Sequence, residues 1–458
     1  MIDIKNKPMK KFNLLFLLLL LNAAAFSQQE SWTSLFDGKT LNGWRQLNGK
    51  AKYEVVNGTI VGTTVTGEPN SFLATNEDYG DFILEVELKV GKMNSGIQFR
   101  SLSNPADNNG RVRGYQAEID PSDRAWSGGI YDEARRGWMY TTEMNPAAKK
   151  AFVKDGWNKY RIEAIGAIIR TWVNDIPVSY MVDDMTPKGL IALQVHGVKE
   201  RAGGEQIQWK NIRIQTGVAM RPRPLDRTTS VANYTLNNIS PQEKAQGFTL
   251  LFNGKDLSGW RSASQKTAPV NGWVVDNGIL QVLPEDTASN TRWGDLLTVS
   301  QYKAFELNFD FKLTEGANSG VKYFVTETPN SKSGLGLEYQ VLDDERHPDA
   351  KKGIGGNRTM ASLYDLIAST KLEARHQSKI GEWNHGKIVV YPNNKIEHWL
   401  NGFKVLAYER GSDAFKQLVA GSKYAKSKNF AMGDQTPILL QDHGDAVFYK
   451  NIKIRQLN

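Results

Sequence analysis

The 458-residue sequence contains no cysteine, and this absence removes several kinds of chemistry at once. Disulfide cross-links, thiolate metal sites and a cysteine nucleophile are all excluded. The formal net charge is +8, but the basic residues are scattered, so we expect no nucleic-acid partner. With 40% hydrophobic and 23% charged residues, the composition is typical of a soluble globular protein.

Strongly apolar sequence is scarce and lies near the N-terminus. The apolar segment 12–21 follows Lys10 and Lys11 and precedes a run of small residues at 23–27. This order is typical of a secretory signal peptide, which we place at residues 1–27. The apolar segment is too short for a membrane span. We therefore expect an exported protein, periplasmic or secreted, and the lack of cysteine argues against a lipoprotein.

Six blocks of the first half return in the same order in the second half, which indicates a duplicated domain. The pairs are 35–45 with 251–261, 53–62 with 273–282, 82–100 with 305–324, 156–166 with 381–391, 190–197 with 437–444, and 209–215 with 449–456. We place the domains at 31–217 and 246–458. The segment 218–245 is a linker, in which Ser240 and Pro241 have the pattern of a helix N-terminus.

The sequence pattern of each copy is typical of β-strands. Polar and apolar residues alternate along 84–90 and 305–311, as in half-buried strands. Asn57-Gly58 and Asn277-Gly278 are tight-turn signals between such runs. Long helical patterns are absent. The sequence therefore predicts an all-β protein of two tandem jelly-roll domains, each a β-sandwich.

Three predicted strands in each copy alternate apolar residues with polar residues of kinds that bind ligands. In the second copy these polar residues are Lys322, Glu338, Gln340, Gln441 and His443. In the first copy they are Gln98, Arg100, Gln116, Glu118, Gln194 and His196. An ordinary solvent-exposed face is the alternative interpretation. Gln and His recur at matched positions in both copies, which favours a site.

Two further features leave their interpretation open. Tyr131-Asp132 and Tyr364-Asp365 recur after loop-like stretches, so Asp132 and Asp365 either bind a ligand or cap a turn. No motif has the spacing of a metal site, a phosphate-binding loop or a serine-nucleophile elbow. The sequence indicates no cofactor and leaves a divalent metal open.

The repeated motifs are shared with one family. The openings LFDGKTLNGW and LFNGKDLSGW, the blocks GLEYQVLDD and LYDLI, the EWN…HWLNG hairpin and the closing LQDHG…YKNIKIR resemble the 3-keto-disaccharide hydrolase domain family. The likeness covers nearly all of both copies. It implies a concanavalin- or laminin-G-like jelly roll in each copy, acting on an oligosaccharide or glycoside. The first copy departs from the pattern in an RAWSGGIYDEARRGW insert, so the two copies need not act alike.

The resemblance implies cleavage of glycosides that carry a ketone at C3 of the sugar. The ketone acidifies the C2 proton, a base removes it, the anomeric substituent leaves, and water adds to the unsaturated sugar. Such a site needs a base and a donor near the enolate oxygen. For the second copy we expect Glu338 or His443 as the base, with Gln340, Lys322, Gln441 and Asp365 binding the sugar. The expected counterparts in the first copy are Glu118 and His196, with Gln116, Arg100, Gln194 and Asp132.

Three alternatives to this chemistry stay open at the level of sequence. The first is ordinary two-carboxylate glycoside hydrolysis. The second is a lectin-like module that binds carbohydrate without cleaving it, because jelly rolls serve both purposes. The third is a structural surface protein. The pairing of Glu with His in both copies favours an enzyme, and the sequence does not determine the sugar or the oligomeric state.

Overall fold

The computed structural model describes residues 31–200, 202–285, 293–371, 377–427 and 430–458. The proposed signal peptide, 1–27, lies outside the described residues. The first domain contains β1 (Thr33–Ser34), β2 (Trp44–Asn48), β3 (Lys52–Val56), β4 (Thr59–Thr63), β5 (Ser71–Tyr79), β6 (Phe82–Val90), β7 (Ser95–Leu102), β8 (Arg113–Ile119), β9 (Ile130–Glu133), β10 (Gly137–Tyr140), β11 (Asn158–Ile165), β12 (Ile168–Val173), β13 (Ile176–Val182), β14 (Gly189–Val195) and β15 (Gln206–Thr216).

The connecting segment carries one more strand and a short helix, and the second domain follows. These elements are β16 (Val231–Asn233), α1 (Pro241–Ala245), β17 (Thr249–Leu250), β18 (Trp260–Ser262), β19 (Trp273–Asp276), β20 (Ile279–Val282), β21 (Leu296–Thr298), β22 (Phe305–Leu313), β23 (Asn318–Glu327), β24 (Gly334–Leu342), β25 (Trp383–Val390), β26 (Lys395–Leu400), β27 (Phe403–Glu409), α2 (Asp413–Ala420), β28 (Leu439–Leu440) and β29 (Val447–Gln456). None of the helices within the described residues is long and apolar enough to span a membrane.

Each domain is a sandwich of two sheets, as the alternating sequence predicts. The back sheets have the orders β16-β13-β12-β11-β6-β15-β4-β3 and β19-β20-β29-β22-β25-β26-β27, with β1 on β15 and β17 on β29. The other two sheets, which we call the site sheets, have the orders β10-β9-β8-β7-β14-β5-β2 and β18-β21-β28-β23-β24. Apart from β16, β9 and β10, which have no counterpart among the described strands of the second domain, the strand orders match from one domain to the other, as expected for a duplication.

The core of each domain lies between its back sheet and its site sheet. In the second domain, Phe309 and Phe311 of the back sheet pack against Tyr339 of the site sheet, with ring centroids 5.2 and 6.4 Å from that of Tyr339. Tyr339 and Val341 belong to this core, so the alternating Glu338 and Gln340 lie on the other face of β24. The assignment of faces that the alternation predicts for this strand is therefore correct.

The connecting segment is bonded to both domains. Its strand β16 adds to the first domain's back sheet, parallel to β13. Ser240 accepts from the backbone N–H of Glu243, and the Glu243 carboxylate accepts from the backbone N–H of Ser240, so a capping box begins α1. Asn237 and Asn451 exchange backbone-to-side-chain hydrogen bonds of 2.6 and 2.8 Å. The segment thus carries ordered structure that its proline content alone does not predict.

Candidate active site

The Asn-Ser-Gly motif at the start of β23 organises the site of the second domain. Ser319 Oγ donates to the backbone oxygen of Gln441 (2.7 Å) and so ties β23 to β28. Glu338 lies across Gly320, so only glycine fits at this position. A Cβ there would lie 2.3 Å from Glu338 Oε1. The first domain repeats the arrangement, since Ser95 Oγ donates to the backbone oxygen of Gln194 (2.6 Å). The Asn-Ser-Gly motif therefore has the same structural role in both domains.

The second domain has a pocket of about 310 Å³ on the outer face of its site sheet. Its lining combines carboxyl, ammonium, amide, imidazole and phenol groups. The lining residues are Asn318, Lys322, Thr328, Ser331, Ser333, Gly334, Leu335, Glu338, Gln340, Tyr364, Lys423, Tyr424, Gln441 and His443. Five residues that the sequence indicates as one face are thus brought into one cavity.

The floor of this pocket carries a carboxyl group beside an ammonium group. Glu338 and Lys322 lie directly opposite each other on β24 and β23, with Lys322 Nζ 3.8 Å from Glu338 Oε2. Both side chains are buried. Burial raises the pKa of Glu338, and the positive charges of Lys322 and Lys423 oppose that rise. A carboxyl group held in this way can take up a proton more readily than an ordinary glutamate.

A second buried carboxyl group, Asp295, belongs to the same charged cluster and was not among the residues that sequence reasoning selected. Its oxygens accept from the backbone N–H groups of Asp442 (2.9 Å) and Gly334 (3.1 Å). Burial raises the pKa of Asp295 to about 6, against the opposing charge of Lys322. Asp295 lies directly before the first residue of β21, and the partner strand β28 ends one residue before the pocket residue Gln441.

Two amide side chains surround the carboxyl group of Glu338. One end of the Gln340 amide lies 3.2 Å from Asn318 Oδ1 and the other lies 3.0 Å from Glu338 Oε1. The nitrogen fits best when it faces Glu338, because the amide oxygen would otherwise face the carboxylate oxygen, and both are acceptors. Gln441 Oε1 is buried and has no hydrogen-bond partner among the described residues. This oxygen can therefore accept a hydrogen bond from a ligand hydroxyl.

Residues from distant loops close one side of the pocket. Lys423 Nζ lies 4.1 Å from the centroid of the Tyr364 ring. Asp365 does not line the cavity. Its carboxylate instead accepts from Arg358 Nε (2.7 Å) and from the backbone N–H of Lys423 (3.0 Å). Asp365 therefore positions the pocket wall, which is closer to the turn-capping interpretation than to direct ligand binding.

The site sheet of the first domain carries a chain of hydrogen-bonded amides where the second domain carries charges. Gln98 Nε2 donates to Gln116 Oε1 (2.6 Å), and Gln116 Nε2 donates to Glu118 Oε2 (2.8 Å). Asn94 Nδ2 donates to Glu118 Oε1. Burial raises the pKa of Glu118 to about 7, with these hydrogen bonds opposing the rise.

The strand register shows that Glu118 and Glu338 are not equivalent. Gln98 lies opposite Gln116, as Lys322 lies opposite Glu338, whereas Glu118 lies opposite the glycine of the motif. The structural counterpart of Glu338 is thus Gln116. Strand β5 of the first domain corresponds to β21 of the second domain. Their registers against β14 and β28 make Phe72 the counterpart of Asp295, the residue directly before β21. Lys322 and Glu338 of the pocket floor, and Asp295 beside them, thus all have uncharged counterparts in the first domain.

Arg100 lies outside the site, contrary to the sequence-based prediction. Its backbone has a φ of 44° where the register of β7 and β8 shifts, and this bulge interrupts the alternation of faces. The buried guanidinium donates to the backbone oxygens of Gly80 (2.8 Å) and Gly166 (2.7 Å). It therefore ties two turns together.

Asp132 also lies outside the site, contrary to the prediction. It pairs with Tyr115, a core residue, so its side chain lies on the core side of β9. Both carboxylate oxygens are used, accepting from Arg135 Nε (2.7 Å) and Arg136 Nε (2.6 Å). The neighbouring Tyr131 shares the face of Gln116 instead.

The closing strand of the first domain places Gln194 and His196 near the amide chain. Gln194 is buried, and its Oε1 has no partner among the described residues, as for Gln441 in the second domain. His196 is half-buried, and its Nδ1 lies 2.9 Å from the oxygen of Gly197. The first domain thus keeps amide and imidazole groups but has lost the charged floor.

The raised pKa of Glu118 predicts how the stability of the first domain depends on pH. A folded-state pKa of about 7 against 4.5 means that the folded domain holds a proton that the unfolded chain releases. Stability should therefore fall as pH rises from about 4.5 to 7, by up to about 3 kcal/mol at 1.36 kcal/mol per unit. Urea unfolding of Glu118→Gln should lack this slope, whereas exposed Glu54→Gln should keep it. A wild-type curve that is flat across this range would contradict the expectation.

A jelly roll with a pocket of carboxyl, ammonium and amide groups on one sheet face is typical of carbohydrate-active proteins. The chain belongs to the 3-keto-α-glucoside-1,2-lyase-like domain family, whose sequence profile matches residues 31–215 and 247–455. The two matched segments correspond to the two sandwiches. Membership in this family of carbohydrate hydrolases confirms the tandem resemblance found in the sequence.

The chain is also similar to individual proteins. The chain is 34% identical over 236 residues to the 3-keto-disaccharide hydrolase of Bacteroides thetaiotaomicron, covering 47% of this chain and 80% of that protein. Two crystal structures of glycosyl hydrolase candidates from Parabacteroides distasonis are also similar. The first is 31% identical with a TM-score of 0.42 and covers 49% of this chain and all of the other. The second is 25% identical with a TM-score of 0.33, covering 46% and 99%.

Proposed function

We propose that the second domain cleaves 3-keto-glycosides by removing the C2 proton, eliminating the anomeric substituent and adding water. The observation that carries the proposal is the buried pair of Glu338 and Lys322 on the floor of an open pocket. The relative in Bacteroides thetaiotaomicron, named a 3-keto-disaccharide hydrolase, supports this substrate class. The proposal thus has two supports, which are the substrate named for a relative and the buried pair of Glu338 and Lys322 in this chain.

In this proposal Glu338 is the base. Its carboxylate takes the C2 proton, electrons move into a C1–C2 double bond, the C1–O bond to the leaving group breaks, and the leaving oxygen takes up that proton to become the free alcohol. Lys322 lies beside the carboxyl group and supplies positive charge while the enolate forms. Water then adds its hydroxyl to C1 and a proton to C2, which completes a net hydrolysis. His443 is the weaker candidate for the base because its side chain is 32% exposed at the pocket rim.

The amides and Lys423 would hold the sugar. Gln441 Oε1 is a buried acceptor without a partner among the described residues, and Gln340 and Asn318 present polar groups around Glu338. Sugar hydroxyls are both donors and acceptors, so they satisfy such groups in pairs. Aromatic Tyr364 and Tyr424 in the lining offer apolar contact to a sugar ring. The pocket therefore provides both kinds of contact that a saccharide needs.

The proposal predicts selective cleavage of oxidised sugars. The purified full chain should release the aglycone from a 3-keto-glycoside and leave the matched native glycoside intact, as followed by mass spectrometry. The ketone is required because without it the C2 proton is far too weakly acidic. Cleavage of both compounds would instead assign Asp295 and Glu338 to two-carboxylate hydrolysis. Binding without cleavage of either would make the domain a carbohydrate-binding module.

We also propose that the protein acts after export. Residues 1–27 have the order of charges, apolar segment and small residues that signal peptides share. A hydrolase for glycosides that originate outside the cell would work in the periplasm or beyond it.

A further inference from the structure

Three side chains meet at the rim of the second domain's pocket, and the proposed mechanism does not need them together. One ligand atom from each of His347, His443 and Asp445 lies within 4.8 Å of the others. The two imidazole centroids are 5.6 Å apart with ring planes at 82°, and His443 Nδ1 lies 3.9 Å from Asp445 Oδ2. We propose that these three side chains bind a divalent transition-metal ion.

The spacing fits a metal after small side-chain rotations. Bonds of about 2.0–2.2 Å from one ion to three ligands bring the ligand atoms to roughly 3–4 Å from one another. Two imidazoles and one carboxylate favour zinc, cobalt, manganese or iron over calcium and magnesium, which prefer oxygen ligands. His443 and Asp445 are 32% and 37% exposed, so water or substrate can complete the coordination.

The surrounding structure holds Asp445 in place, and it orients His347 in the metal-free protein. Asp445 Oδ2 accepts from the backbone N–H of Asn318 (3.0 Å), the first residue of β23 and a pocket residue. The backbone N–H of Asp349 lies 3.2 Å from His347 Nδ1 at the start of a 3₁₀ turn, Pro348–Lys351. A ring that binds metal through Nε2 carries its proton on Nδ1, so metal binding would replace this long hydrogen bond.

The first domain provides an internal comparison. His196 occupies the position of His443, but Val198 stands where the second domain has Asp445. No second group of three such side chains occurs within the described parts of the chain. Metal binding should therefore be a property of the second domain, with one ion per chain. This assignment rests on geometry alone, and only a role of the ion in polarising the sugar ketone rests on the proposed function.

Cobalt binding tests the assignment without reference to activity. The full chain, stripped with a chelator, is titrated with Co²⁺ and its visible d–d absorption is followed. We expect saturation at one equivalent per chain. His347→Ala and Asp445→Asn should each weaken Co²⁺ binding by about 10- to 100-fold or more, because the first removes a ligand and the second replaces a carboxylate by a neutral and weaker amide ligand. Thermal unfolding of each variant shows whether it is folded.

Two control variants make the outcome decisive. His385 Nδ1 lies 2.7 Å from Asp310, so His385→Ala breaks a histidine–carboxylate pair on the back sheet. His196→Ala removes the equivalent imidazole of the first domain. Both variants should bind one equivalent of Co²⁺ as the wild type does. Unchanged affinity in folded His347→Ala and Asp445→Asn, or no saturable absorption in the wild type, would overturn the metal site and leave the 3-keto-glycoside proposal standing.

Discussion

Replacing Glu338 by Gln is expected to lower the rate of 3-keto-glycoside cleavage by about 10²- to 10⁴-fold, the usual contribution of a general base. Gln keeps the shape of the side chain over Gly320 but cannot accept the C2 proton. The steady-state kcat of the full chain measures the effect. The substrate KM should change far less, because binding rests mainly on the amides of the pocket.

The pH profile gives an independent check on the role of Glu338. Its pKa is raised by burial, and only the deprotonated form can act as the base. Activity should therefore fall as pH drops through a value above the ordinary glutamate range. The residual activity of Glu338→Gln should lack this limb.

Two further substitutions separate the candidate roles. Glu306 is a strand glutamate in the same domain that pairs with Arg455 on the back sheet (3.0 Å), so Glu306→Gln is a matched control and should act within about twofold of the wild type. Glu118→Gln tests the first domain, whose site has no equivalent of Lys322 or Asp295. Full activity in Glu338→Gln, with strong loss in Glu118→Gln, would move the catalytic centre to the first domain.

Replacing Lys453 by Met is expected to destabilise the second domain by about 3–5 kcal/mol. Lys453 and Glu243 form an ion pair whose side chains are only 3% and 2% exposed. Glu243 also accepts from Asn233 Nδ2 (2.7 Å) and from the backbone N–H of Ser240 (2.8 Å). Removing the ammonium group leaves a buried carboxylate whose charge is no longer balanced. Urea unfolding followed by tryptophan fluorescence measures the change.

An exposed pair provides the control for this substitution. Lys416 and Asp413 lie 3.0 Å apart in α2 with side chains 67% and 92% exposed. Lys416→Met should change the unfolding free energy by less than about 0.5 kcal/mol, as expected for surface pairs. A similarly small change in Lys453→Met would mean that Glu243 is solvated or protonated in the variant. The connecting segment would then contribute little to the second domain.

Several features of the site followed from the sequence because period-two alternation is a local property. Glu338 and Gln340 must share a face once β24 is a strand, and Tyr339 must take the other. The repeat then indicated that Gln441 and His443 belong to a strand of the same kind, whereas the structure ends β28 at Leu440, directly before them. These predictions needed no knowledge of what covers the sheet, and the structure brings these four residues to one pocket.

Other features depended on where strands and loops meet in space. Arg100 leaves its expected face because a bulge breaks the alternation of β7, and Asp132 lies on the core side because the register of β8 and β9 places it opposite a core residue. Strand pairing alone shows that Gln116, rather than Glu118, corresponds to Glu338.

By itself, the sequence determined the duplication, the β-sandwich class and the face on which most candidate residues lie. Only the tertiary structure decided that Lys423 shares a pocket with Glu338, that Asp295 lies close enough to interact with its charges, and that His347 meets His443. The physical reason is one of range. Side-chain direction within a strand is fixed by the neighbouring residues, whereas a pocket forms from segments far apart in the chain whose approach is set by sheet register and packing.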